Sequence, residues 1–572
     1  MLEGCVPWPE DVARQYREKG YWADLTLWQM LEQSIERNPH RVALVHGKQR
    51  LIYSELGERI QGLAAGLADI GLRFNDRVVV QLPNCIEFVV TLFALLHIGA
   101  IPVLALPAHR QEEIGHFVNH SRAVAYIIAD QHRGFDYRVM ALDITARSPS
   151  LRTVLVLGEP AAGQKSLSVL YRSRTDGKKF DSSGPTPDDV ALMLLSGGTT
   201  GVPKLIPRTH DDYVYNCRQS AAITEFTERT VFLAVLPMAH NYTLGCPGVL
   251  GALASAATAV IAPDATATTI FQLIEKEKVS VISAGPPLVV DWLGSDAVDR
   301  YDLASLAVFM SGGAKLQPEL RRRLESRFNC VYQESYGTGE GLLNMTRLDD
   351  PDDIRFNSSG RPISPGDEIK IADQSGRELQ DGELGELLCR GPYTFRGYYQ
   401  APAATASAFT KDGFYRTGDA VRKIGSDLYV QGRFKDLINR GGEKISCEEV
   451  ENHLLAHHGI ANACIVAMPD ERFGEKACAF VILTPGAALS FDEMKSHLLS
   501  RKIAKFKLPE RLEVVDTFPT SPAGKILRGE LRRIVAEKIS SERSVAARPR
   551  SHASRDPEMQ SAGVSHQTYQ KE

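Results

Sequence analysis

The strongest constraint on the fold is an alternation that begins near residue 55. In "ELGERIQGLAAGLADIG" the apolar residues Leu56, Ile60, Leu63, Leu67 and Ile70 recur at helical spacing. The run behind it, "DRVVVQLPN", is short and β-branched, as a strand should be. The exchange repeats through the helix-like "EFVVTLFALLHIG", the strand-like "IPVLALP" and "AVAYIIAD", and then "TVLVLG". A chain written this way is expected to build a large, multi-layer α/β body. The apolar stretch from residue 88 has nearly the length of a membrane span, but His97, Gly99 and Pro102 interrupt it. It is therefore expected to form a buried helix, a turn and a strand.

After about residue 365 the texture changes to short runs punctuated by Gly and Asp, as in "GDEIKIADQSGRELQDGELGELLCRG", which predicts a β-rich subdomain. Helix and strand alternation then resumes. We expect a large N-terminal domain over 1–431, a small α+β C-terminal domain over 432–540, and a polar, Ser-rich, disordered tail over 541–572. With 43% hydrophobic residues, 24% charged residues and a net charge of −4, the chain carries no basic field for nucleic acid or an anionic membrane. Its nine cysteines are scattered and never form CxxC, which argues against a disulfide framework and a zinc site. The first twenty residues have no basic-then-apolar signal layout, so a cytoplasmic location is expected.

An apolar run, "VALMLL", leads into "SGGTTGVPK", residues 196–204. Glycines there can turn backbone N–H groups toward anionic oxygens, the threonines add hydroxyls, and Lys204 adds a charge. The loop is not a Walker A motif, because Pro203 precedes Lys204 and Leu205 follows it. Four more segments follow in order: "SYGTGEG" at 335, "YRTGD" at 415, "GRFKDLINRGGEKIS" at 432 and "SPAGKILR" at 521. The set resembles the adenylate-forming superfamily of acyl- and aryl-CoA synthetases, nonribosomal peptide synthetase adenylation domains and luciferases. Within it, "AHNYTLGCPGVLG", "GRPISPGDEIKI" and "INRGGEKI" look like the freestanding aryl-acid AMP ligases that act on 2,3-dihydroxybenzoate or salicylate.

That resemblance implies a reaction: a carboxylate attacks the α-phosphorus of ATP, and pyrophosphate leaves. Ser196, Gly197, Gly198, Thr199, Thr200, Gly201 and Lys204 would hold the departing phosphates. Glu340 matches the family position that holds Mg²⁺, an ion that prefers hard oxygen ligands. Asp419 matches the ribose-binding aspartate, with Arg433 beside it, and the resemblance places Lys435 at the same nucleotide site. Gly312, Gly313, Gln333, Ser335, Tyr336, Gly337 and Gly339 correspond to the wall for adenine and the acyl phosphate. Lys525 would be the catalytic lysine of the small domain, bridging the attacking carboxylate and the α-phosphate. His240 is placed with it among the catalytic residues. Gly442 and Lys444 belong by resemblance to the second half-reaction, reached by rotation about a hinge at Lys435 and Asp436.

The segment "HNYTLGCPG", residues 240–248, sets a His, an Asn and a Cys close together. A metal site would need further ligands at usable spacing, and none is near in sequence. A nucleophilic Cys would need a base and a lowered pKa, while the family releases a free acyl-adenylate. The resemblance instead makes this the acid pocket, with Asn241, Tyr242, Cys246, Gly313, Gly339 and Leu343 as its wall. Asn241 would bond a polar ortho substituent, and the Cys246 thiol suits a C–H edge better than a second hydroxyl. Three departures stand out. Tyr336 and Gly339 replace the Phe and Ala of a more usual "FGMAEG", Met345 replaces a frequent aromatic, and Gly245 stands where Ser or Ala is more familiar.

The expectation is thus an aryl-acid AMP ligase using ATP and Mg²⁺, with salicylate favoured. It would load the phosphopantetheine thiol of a separate aryl carrier protein in siderophore or nonribosomal peptide biosynthesis, since the tail holds no carrier serine motif. The alternatives are a 2,3-dihydroxybenzoate, hydroxypicolinate or quinaldate enzyme, or an aryl-CoA ligase. A non-enzymatic binding relative is opposed by the intact Glu340, Asp419 and Lys525.

Overall fold

The computed structural model describes residues 1–171, 184–196, 203–313, 316–373, 375–434, 437–440, 443–470, 472–501, 503–520 and 526–546. The alternating segments become two large sheets. In the first, the strands Arg77–Gln81, Ile101–Leu104, Ala125–Ala129 and Thr153–Leu157 run parallel, with Val190–Leu195 parallel to Ile101–Leu104. The last strand then pairs antiparallel with Leu205–Thr209. The second sheet has nine strands, and its centre runs parallel from Val42–His46 through Val231–Ala234 to Val331–Thr338.

Helices cover both sheets for the reason the sequence announced. Tyr53–Asp69 buries Leu56, Ile60, Leu63 and Leu67, one apolar stripe at 3.6-residue spacing. The apolar stretch from residue 88 resolves into the helix Ile86–His97 and the strand Ile101–Leu104. Gly99 turns the chain between them with φ +72°, a conformation that costs glycine least. The helix is apolar on all sides and is buried nearly all round, as such helices are inside large domains.

The β-rich subdomain is a four-stranded antiparallel sheet, Glu368–Ala372, Leu384–Arg390, Tyr415–Ile424 and Asp427–Arg433. Its last strand keeps Gly432 and Arg433, and the next sheet begins at Ile438. The handover therefore falls just beyond the boundary expected at residue 431. Lys435 and Asp436, expected at a hinge, lie outside the described residues.

The small unit is built on the hairpin Ile460–Asp470 and Gly474–Leu483, joined by Ile438–Arg440, Glu443–Ile445 and Arg511–Val514. Period-two alternation feeds two cores: Ala463, Ile465, Ala477 and Ala479 face one side, while Cys464, Val466, Cys478 and Phe480 face the other. Those cysteines are thus packing residues. The helix Arg528–Ala546 runs six residues into the stretch expected to be a disordered tail. No helix among the described residues is long and apolar enough to cross a membrane.

Candidate active site

The hairpin Val190–Leu195 and Leu205–Thr209 carries the Gly/Thr loop as its connection. Two hydrogen bonds close the loop's base: Ser196 N donates to Lys204 O, and Lys204 N donates to Ser196 Oγ, both at 2.9 Å. Gly197, Gly198, Thr199, Thr200 and Gly201 lie outside the described residues. Lys204 Nζ sits 4.9 Å from the centroid of the Tyr398 ring. Tyr398 in turn donates to Glu340 Oε1 at 2.9 Å. One tyrosine thus links the loop's cation to the expected metal-binding carboxylate, and its phenol is raised by burial and by Glu340, so it stays a donor.

Glu340 follows the strand Val331–Thr338 at a tight turn and is 8% exposed. The turn depends on Gly341, whose φ is +120° and where a Cβ would stand 2.5 Å from Thr394 Cα. Phe395 N donates to Glu340 O at 2.7 Å and pins the turn from the other side. No cluster of three or more metal-ligating side chains exists among the described residues. Mg²⁺ at a nucleotide typically takes one or two carboxylates with phosphate oxygens and waters, so Glu340 alone fits that ion.

Asp419 and Arg433 are cross-strand partners in the β-rich sheet. Arg433 Nε lies 2.9 Å from Asp419 Oδ1, and Tyr336 donates its hydroxyl to Oδ2 at 2.5 Å. Arg433 Nη1 also donates to Thr417 O at 2.9 Å. Next to Tyr336 on the strand Val331–Thr338, Ser335 Oγ is buried without a hydrogen-bond partner among the described residues, on the wall of the central cavity. An orphaned hydroxyl there fits a polar ligand. Gln333 departs from expectation: its side chain is fully buried and spent inside the protein. Its amide nitrogen donates to Thr346 O at 2.9 Å, and its carbonyl accepts from Thr224 Oγ1 at 2.9 Å. Its polar atoms are thus bonded within the protein.

The acid-pocket segment opens with His240 as N-cap of the short helix Asn241–Gly245, His240 Nδ1 accepting from Tyr242 N at 3.2 Å. Asn241 Nδ2 donates to Cys246 Sγ at 3.4 Å, and Asn241 Oδ1 accepts from the Tyr213 hydroxyl at 2.7 Å. Burial pushes the Cys246 thiol up to about 12, so it is a neutral wall group rather than a nucleophile. The Tyr242 ring packs where a Cβ on Gly312 would come within 2.9 Å of it. Tyr393, through its hydroxyl, accepts from Leu343 N at 3.0 Å and fixes the opposite wall.

These pieces surround one cavity of about 1030 Å³. Asn241 and Cys246 line the end expected to hold the acid, Ser196 and Glu340 the side expected to hold the phosphates, and Gly313, Ser335, Gly337 and Gly339 also line it. His240, Tyr242, Leu343 and Arg433 also line it, while Tyr336 and Asp419 stand behind Arg433. From the small unit come Thr520, Ile526 and Leu527. Thr520 and Ile526 are bridged to each other and flank Lys525, which lies outside the described residues with Gly442. Lys444 is placed by its backbone only, opposite Asn439. Sequence reasoning missed Tyr213, Arg208 and Tyr398. Only the Thr209–Asp212 capping-box spacing hinted that a helix starts just before Tyr213.

The family model "AMP-binding enzyme" matches residues 31–399, and "AMP-binding enzyme C-terminal domain" matches 449–525. The chain is 45% identical over 541 residues to a 2,3-dihydroxybenzoate-AMP ligase of Bacillus subtilis (strain 168), covering 94% of this chain and 99% of that one. It is 42% identical over 531 residues to a salicyl-AMP ligase / salicyl-S-ArCP synthetase of Mycobacterium tuberculosis, with 92% and 93% covered. Among solved structures, apo MbtA of Mycobacterium smegmatis superposes with a TM-score of 0.72 at 41% identity, over 93% of this chain and 98% of that one. With its two family models in order along residues 31–399 and 449–525, the chain belongs to the AMP-binding enzyme family.

Proposed function

We propose that this enzyme activates an aryl carboxylic acid with ATP, salicylate being favoured, and passes the aryl group to the phosphopantetheine thiol of a separate aryl carrier protein. The observation that carries this reading is the continuous cavity running from Asn241 and Cys246 to Ser196, Glu340 and Arg433. An acid seated against Asn241 has its carboxylate directed along Gly313 and Gly339 toward the phosphate side. A carboxylate oxygen forms a bond to the α-phosphorus, and the bond to the pyrophosphate oxygen breaks. The products are aryl-AMP and pyrophosphate. Charge spreading onto the phosphoryl oxygens is met by the Ser196–Lys204 loop and by Lys525, beside the cavity-lining Ile526. Glu340 would hold Mg²⁺, which supplies neutralisation of the β and γ phosphates when bound. Asp419, braced by Arg433, would accept from the ribose hydroxyls.

In the second half-reaction the thiol sulfur bonds to the acyl carbon and AMP leaves, with Lys444 and Gly442 brought round by rotation of the small domain. Salicylate is favoured because the neutral Cys246 sulfur, a weak partner, meets the edge beside the ortho position. The siderophore or peptide setting and a cytoplasmic location belong to the same reading, and the carrier-protein acceptor is supported by one relative's name, salicyl-S-ArCP synthetase. Thioester formation offered coenzyme A or a holo aryl carrier protein tests the acceptor: the carrier is expected to be used with the higher kcat/KM, and preference for coenzyme A would overturn it.

A further inference from the structure

Building on the aryl-acid reading above, the geometry points to Tyr213 as a positioning residue that fixes the polarity of the Asn241 amide, so that the pocket takes ortho substituents whose facing atom carries a lone pair. Tyr213 stands on the helix His210–Ile223, whose first turn is locked: Asp212 N donates to Thr209 Oγ1 at 3.3 Å, and Thr209 N donates to Asp212 Oδ2 at 2.9 Å. Its side chain is fully buried. Arg208, also fully buried and paired with Asp212 at 2.9 Å, lays its guanidinium 4.9 Å from the Tyr213 ring centroid. A phenol held on both sides has little freedom to leave its partner.

That partner is Asn241 Oδ1, at 2.7 Å. Burial raises the Tyr213 phenol well above its ordinary value, so the hydroxyl keeps its proton and donates. A carboxamide has one carbonyl and one NH₂, and occupying the carbonyl sets the direction of both. Asn241 Nδ2 therefore faces the other way, with Cys246 Sγ at 3.4 Å. Sulfur is a weak acceptor and Nδ2 has two hydrogens, so a donor remains for a ligand in the cavity that Asn241 lines.

Gly245 belongs to the same device. A Cβ built there would stand 2.8 Å from the Tyr213 hydroxyl oxygen and 2.9 Å from ring carbon Cζ. The missing side chain leaves the room through which the hydroxyl reaches Asn241.

A fixed donor sorts ortho groups by chemistry. An ortho hydroxyl turns its hydrogen into the neighbouring carboxylate and leaves an oxygen lone pair facing Asn241 Nδ2. A ring nitrogen beside the carboxyl does the same. An ortho amine delocalises its lone pair into the ring and points a second N–H at the amide N–H, donor against donor. A bare C–H offers nothing. Acids with an ortho hydroxyl or ring nitrogen should be taken, and anthranilate and benzoate disfavoured.

The test is acid-dependent ATP–pyrophosphate exchange by the full chain, as wild type, Tyr213→Phe and Gly245→Ala, with salicylate, anthranilate and benzoate. Wild type should prefer salicylate over anthranilate, and Tyr213→Phe, which frees the amide to turn over, should cut that kcat/KM ratio about tenfold. Gly245→Ala, which displaces the hydroxyl, should shift the ratio the same way. Purely structural damage would lower all three acids together and leave the ratio in place. An unchanged ratio in both variants, with melting temperatures showing both folded, overturns the positioning role. A wild type that exchanges with none of the three acids overturns the aryl-acid reading instead.

Discussion

Tyr336 and Asp419, 83 residues apart in sequence, meet in a 2.5 Å hydrogen bond in which the phenol donates to Oδ2. Burial and the neighbouring carboxylate raise the phenol well above its usual range, so the donor role persists at any working pH. Arg433 holds the other oxygen at 2.9 Å. The carboxylate proposed to read the ribose is therefore oriented in advance, and Tyr336, a departure from the more usual Phe, would act through it in the proposed nucleotide site.

Tyr336→Phe removes one of those two braces. Hydrogen bonds to charged groups contribute about 1.5–3 kcal/mol, and Arg433 remains, so the KM for ATP should rise about tenfold. The KM for the acid should stay where it is. Steady-state kinetics with each substrate varied in turn separates the two.

Gly312→Ala places a methyl 2.8 Å from Ser335 O and 2.9 Å from the Tyr242 ring. Both are buried, so neither gives way without moving the pocket wall. A stability loss of about 1–3 kcal/mol, typical of overpacking, should accompany a raised KM for the acid. Denaturant melts and exchange kinetics read the two effects.

Lys525→Ala should reduce acid-dependent ATP–pyrophosphate exchange by at least about a hundredfold, the scale of losing one fixed charge that meets a developing anion. Nucleotide binding by calorimetry should change far less, because the Asp419 and Arg433 pair lies on the large domain.

Stability should follow pH through two buried groups of opposite sign. Burial pushes the Asp367 carboxyl, which accepts from Tyr393 at 2.6 Å, up to about 8 from 3.8. The folded chain keeps a proton there that the unfolded chain releases, so stability falls as pH rises from about 4 to 8. Burial pulls the His210 imidazole, which accepts from Leu27 N at 3.1 Å, down to about 3 from 6.5. The unfolded chain takes up that proton first, so stability falls as pH drops from 6.5 to 3. The two slopes oppose each other below 6.5, and Asp367 acts alone from 6.5 to 8. Each slope is at most about 1.4 kcal/mol per pH unit. Asp367→Asn should flatten the alkaline loss and His210→Gln the acidic one, as read from urea melts across that range.

What the sequence disclosed depended on periodicity and on motif order. The helix Tyr53–Asp69 was legible because its apolar stripe is regular, and the stretch from residue 88 because Gly99 and Pro102 break it. The end of the last helix was not: "SSERSVA" has no apolar stripe, so nothing local announces helix through Ala546. Gln333 shares a strand with Ser335 but lies two residues, about 7 Å, deeper, where Thr224 covers the sheet. Motif adjacency could not resolve that depth. Nor could it reveal that Tyr213 meets Asn241, a contact across 28 residues set by how the helix lies on the sheet.

The central claim is that the cavity between Asn241 and Glu340 adenylates an aryl acid with a polar ortho group. Acid-dependent ATP–pyrophosphate exchange across salicylate, 2,3-dihydroxybenzoate, benzoate and 3-hydroxypicolinate tests it directly. Salicylate should give the highest kcat/KM and benzoate a value lower by about tenfold or more, the scale of one lost hydrogen bond with an unpaired partner left behind. Benzoate matching or exceeding salicylate, or no exchange with any of the four, would contradict it.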